Sequence, residues 1–216
     1  MSKNAPQYSI REENANTVTH AFGIVIGLMV SYFLLSKTWD VWSTVSYSVY
    51  CVFMLLSYVT STLYHFNGKA TTKKTLRKFD HAAIYLHIAG TYTPFTLVVL
   101  RNEGAWGWTL FAIIWLAAIV GVILSFTQLK NASKLETACY IAMGWVVAIA
   151  FKPLVDALQQ TDSMLVLWLL IAGGLAYTLG AIVYSLKKIE FTHAIWHLFV
   201  LTGTVFHALA IYFIKP

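Results

Sequence analysis

The chain has 216 residues and a formal net charge of +6, with 58% apolar and 15% aromatic residues against only 11% charged ones. That mixture lies far from the composition of soluble domains and points to an integral membrane protein. Its fifteen bases and nine acids gather in short clusters between long charge-free stretches, a placement that argues against nucleic acid as the partner.

In chain order, residues 1–17 are polar, carry no cleavable signal pattern and read as a cytoplasmic N-terminal segment. Residues 18–214 read as a single transmembrane domain, because a helix needs about 20 apolar residues to cross the hydrocarbon and seven stretches qualify. The first span is 18–36. At its entry Glu13, Asn16 and His20 follow an i, i+3, i+7 spacing on one helix face, and either line a site there or cap the helix. The second span, 42–65, ends in STLYH, which places Ser61 one turn from His65. A basic loop follows at 66–79.

The third span, 80–100, opens with FDHAAI, so that Asp80 and His81 stand at its start and His87 lies about 10 Å deeper on nearly the face of Asp80. Asp80 reads as a site carboxylate or as the cap of that helix. The fourth span is 106–126. The fifth, 136–155, is the weakest, since it includes Glu136 at one end and Lys152 and Pro153 at the other. The sixth is 163–186. The seventh, 193–214, opens with HAIWH, and His207 lies about 15 Å beyond His197.

Alternation of seven spans puts the N-terminus and the 66–79, 127–135 and 187–192 loops on one side with eleven bases, against four on the other. This asymmetry predicts a cytoplasmic N-terminus and an external C-terminus. The fold class expected is therefore an all-α seven-transmembrane-helix bundle.

The same alternation brings His65, Asp80, His193 and His197 to one membrane face, although up to 132 positions separate them. His193 and His197 are i, i+4 partners, a geometry that suits a shared metal. Three imidazoles with an open fourth position form the pattern of catalytic zinc, which lowers the pKa of a coordinated water and polarises carbonyl groups. Asp80 then reads as general base and Ser61 as the hydroxyl that positions substrate or water. Glu13, Asn16, His20, His81 and His87 read as possible supports around the site. Both His87 and His207 otherwise hydrogen-bond across the bundle or line a cavity.

The segments EENANTVTH at 12–20, STLYH at 61–65, KFDHAAIYLHIAGTYTPF at 78–95 and FTHAIWH at 191–197 resemble the haemolysin III-related branch of the progestin and adipoQ receptor family. That family is grouped with the alkaline ceramidases among seven-helix membrane proteins. The resemblance implies a zinc site formed by Ser61, His65, Asp80, His193 and His197, with hydrolase-like chemistry on lipid amides such as ceramide. It also implies a multi-pass protein of a bacterial plasma (inner) membrane. The family name implies cytolysis, yet no amphipathic toxin segment or barrel pattern is visible.

The leading expectation is a zinc-dependent intramembrane hydrolase of a lipid amide or ester, with zinc-bound water as nucleophile. The alternative is a non-catalytic zinc-containing sensor or regulator of lipid composition, followed by a transporter in which His87 and His207 serve a pathway. A membrane lipid is the expected substrate or ligand, nucleic acid is not, and the sequence names no protein partner.

Overall fold

The computed structural model describes residues 8–127, 132–186 and 189–215. Lys3, Lys130, Lys187 and Lys188, four of the bases behind the orientation argument, lie outside the described residues. The described residues are helical and contain no strand, and seven helical stretches are long and apolar enough to cross a membrane.

Helix α1 spans Ile10–Leu35. It starts within the segment expected to precede the first span because Ser9 and Glu12 close a capping box: the Glu12 N–H donates to Ser9 Oγ, and the Ser9 N–H to Glu12 Oε2 at 2.8 Å. Ser9 is thus the cap, and Glu13, Asn16 and His20 all stand inside the helix. Helix α2, Val41–Phe66, is capped in the same way by Asp40 and Ser43.

Helix α3, Ala70–Pro94, begins ten residues before Asp80. The capping alternative for Asp80 therefore fails; the basic 66–79 stretch was expected to be loop, but most of it is the first three turns of this helix. Pro94 has no N–H to give the preceding turn, and beyond it the chain widens into a π-helical turn, Phe95–Val99, where the Leu100 N–H donates to the Phe95 carbonyl five residues back.

Helix α4 spans Trp106–Phe126. The fifth span is broken into helix α5, Ala132–Gly144, a 3-10 segment Val146–Ala150, and helix α6, Phe151–Gln160. Pro153 falls in the first turn of α6, where its missing N–H costs nothing. Helices α7, Met164–Ser185, and α8, Thr192–Tyr212, complete the bundle.

Helix α1 packs between α2 and α8, α3 follows α2, and α7 follows α8, while the broken fifth span touches α3, α4 and α7. Helix α3 is central: 72% of its most apolar window is buried, against 28% for α1 and α4 and 17% for the fifth span. The lipid side is covered by exposed apolar residues such as Phe22, Leu28 and Phe33 on α1 and Leu116, Val120 and Ile123 on α4, as a hydrocarbon solvent requires. The buried polar residues of α2, α3 and α8, among them Ser61, His65, Asp80, His87, His197 and His207, consequently face inward.

Candidate metal centre

His65 ends α2, and His193 and His197 occupy the first two turns of α8. Since α1 touches both helices, these three imidazoles meet across it, and one ligand nitrogen from each lies within 4.8 Å of the others. His65 Nε2 and His193 Nε2 are 3.0 Å apart. Tetrahedral zinc at about 2.0–2.1 Å from each nitrogen would set its ligands about 3.3 Å apart, so the spacing fits one small cation.

Two of the three remaining ring nitrogens are held by α1. His65 Nδ1 lies 2.8 Å from Glu13 Oε2 and donates to it, which leaves Nε2 bare. His197 Nδ1 lies 3.2 Å from the Asn16 carbonyl and 2.9 Å from Thr19 Oγ1. A carbonyl only accepts, so His197 carries its proton on Nδ1 and presents Nε2 as a bare donor of electrons. His193 Nδ1 is buried without a hydrogen-bond partner. Converging bare nitrogens, oriented by a carboxylate and a carbonyl behind them, are what a divalent metal needs from imidazole ligands.

Glu13 does more than orient one ring. Its second oxygen pairs with Lys73 Nζ at 2.5 Å, so one side chain ties α1 to α2 and to the first turn of α3. Asn16 Nδ2 also lies 3.4 Å from His65 Nδ1. His20 stacks on His197, with ring centroids 3.5 Å apart and planes at 15°. The i, i+3, i+7 face of α1 thus supports the histidines.

Asp80 of α3 and Ser61 of α2 are both buried. Both side chains, with His193 and His197, line a cavity of about 230 Å³ that runs into the bundle among α3, the fifth span, α7 and α8. His81 lines the same cavity but is not one of the three clustered histidines: its Nδ1 pairs with Glu136 Oε2 at 2.7 Å and its carbonyl accepts from Tyr140, tying α3 to α5. His87 stands deeper in the cavity wall, 3.1 Å from Ser57.

Three participants escaped the sequence reading. Thr19 holds His197, although its place three residues after Asn16 put it on the supporting face. Tyr8, just before α1, sets its ring 5.1 Å from that of His193, and burial together with the nearby Tyr184, Tyr64 and Glu13 pushes its phenol well above the usual range, so it stays protonated. Tyr184 of α7 sets its ring 5.4 Å from that of His193. No spacing rule marks the two tyrosines, which approach only once the bundle closes.

The family model described as Haemolysin-III related matches residues 8–208. The chain is 43% identical over 198 residues to Hemolysin-3 of Bacillus cereus, covering 90% of this chain and 88% of that protein. To the Hemolysin-3 homolog of Bacillus subtilis it is 40% identical over 213 residues, with 96% and 97% covered. The human Monocyte to macrophage differentiation factor is 31% identical over 207 residues, 93% of this chain and 83% of that one. With its seven spans and a match along nearly its whole length, the chain belongs to the haemolysin-III-related family of multi-pass membrane proteins.

Proposed function

We propose that this protein is a zinc-dependent hydrolase of a lipid amide or ester, working at the cytoplasmic end of its bundle in a bacterial plasma membrane. The observation that carries the reading is that Asp80 and Ser61 line one apolar cavity together with His193 and His197, two members of the three-histidine cluster that His65 completes. Zinc held by His65, His193 and His197 would supply a polarising charge for a carbonyl and for a water molecule.

The chain's own groups do the rest. Glu13 and the Asn16 carbonyl keep His65 and His197 in the tautomers that face the cluster. Asp80 accepts the proton of the attacking water and passes it to the leaving amine or alcohol. The Ser61 hydroxyl, in the same cavity wall, positions the substrate carbonyl or the attacking water. The apolar wall binds the acyl chain and excludes bulk water, which strengthens every charge interaction at the site.

Metal content and turnover of four variants test this. His65→Ala, His193→Ala and His197→Ala are expected to drop zinc from near one per chain to a trace, while Asp80→Asn keeps zinc and loses lipid cleavage by at least about a hundredfold. Stoichiometric zinc in wild type with no cleavage of a broad panel of lipid amides and esters would sink the enzyme reading. It would favour the non-catalytic sensor, in which the ion only ties α2 to α8. Retained metal in all three histidine variants would remove both.

A further inference from the structure

His87 of α3 and His207 of α8 are both more than nine-tenths buried, both line the apolar cavity, and each keeps one ring nitrogen without a partner: His87 Nε2 and His207 Nδ1. Their tautomers follow from their other bonds. Ser57 gives its single hydroxyl proton to the Met54 carbonyl at 2.8 Å, so at 3.1 Å from His87 Nδ1 it accepts, and His87 carries its proton on Nδ1. His207 Nε2 lies 3.1 Å from the Leu170 carbonyl, which only accepts, so the proton is on Nε2. Neither ring belongs to an ion pair among the described residues. Both free nitrogens are therefore acceptors, and a buried acceptor left bare is costly.

The neighbouring hydroxyls are paired elsewhere. Tyr58 donates to Thr204 Oγ1 at 2.7 Å and Tyr50 to the Thr204 carbonyl at 3.2 Å, and Tyr177 pairs with Thr204 Oγ1 at 2.8 Å. Gly173 leaves the His207 ring its room, since any side chain there would fall on it. The wall around the two rings is apolar, with Ile88, Leu170 and Val200 among its residues.

From this we infer that the cavity holds a second binding site, at His87 and His207, for a hydroxyl group carried partway along an apolar chain, its one proton going to either of the two bare nitrogens. The guest must donate where plain acyl chains offer nothing. Along α3 the site lies about 10 Å beyond Asp80, so the hydroxyl belongs to the middle of a lipid whose polar end sits at the histidine cluster. The inference rests on the reading that a lipid enters the cavity, but not on its being cleaved.

Equilibrium binding of octadecanoic acid and of a positional series of monohydroxyoctadecanoic acids to the purified zinc-loaded protein tests it. Wild type is expected to bind a mid-chain isomer about tenfold tighter than octadecanoic acid, with weaker preference when the hydroxyl moves toward either end. His87→Phe and His207→Phe should flatten the series at unchanged zinc content, and His87→Gln, which keeps an acceptor, should restore part of it. A flat series in wild type, with octadecanoic acid still bound, overturns the hydroxyl site alone, as would a preference surviving in both Phe variants. No binding of any fatty acid overturns the lipid-cavity reading as well.

Discussion

Glu13 reaches His65 from a neighbouring helix and shares its other oxygen with Lys73. A carboxylate behind a metal-binding imidazole fixes the ring's tautomer and raises its basicity, and losing such a partner typically weakens metal binding by 10- to 100-fold. Glu13→Gln is expected to lower zinc affinity by that range, read by competition with a chromogenic chelator, while the protein stays folded. An unchanged affinity would mean that the His65 tautomer does not depend on Glu13. At this scale much was legible: the i, i+4 pair at His193 and His197 and the periodic face of Glu13, Asn16 and His20 follow from helix geometry alone. Tyr8, Thr19 and Tyr184 were not, because a threonine in a helix usually bonds its own backbone and a tyrosine carries no fixed partner in its spacing.

The helices were legible as lengths but not as ends. Charge marks where a chain leaves the hydrocarbon, whereas capping marks where a helix stops, and the two differ by ten residues at α3. Asp40 shows what a cap contributes. Its carboxylate accepts from the Ser43 N–H at 2.7 Å, and that bond draws its pKa below the ordinary value. Because the folded pKa is depressed, the stabilisation is complete above the unfolded value of about 3.9 and is lost as pH falls through the folded one. Asp40→Ala should therefore cost about 1 kcal/mol at pH 7, measured by thermal melting in detergent, and the gap from wild type should narrow as pH falls below the ordinary carboxylate value. The break in the fifth span belongs here too. Lys152 and Pro153 already made it the weakest candidate, and its division at Gly144 to Phe151 is the backbone's answer.

For the whole molecule, alternation gave the side on which each residue lies, and that sufficed to group His65, Asp80, His193 and His197. It could not give neighbours around the ring of helices, so the place of His81 outside the cluster and its pairing with Glu136 emerge only from packing. The orientation itself is open to a direct measurement. In a Cys51→Ser, Cys139→Ser background, Asn102→Cys should react with a membrane-impermeant maleimide in intact cells, and Asn67→Cys only after permeabilisation. The opposite pattern would put the histidine cluster on the external face and reverse the positive-inside assignment.

The broken fifth span supplies no histidine to the cluster, yet Tyr140, Trp145 and Leu154 from it form part of the cavity wall. The chemistry is anchored on α1, α2, α3 and α8, and the shape of the chamber is completed by a separate, loosely buried partition. Substitutions there can widen, narrow or reshape the chamber while the ligand geometry stands still. A family built on this plan can diversify what the chamber admits while the three converging histidines stay in place.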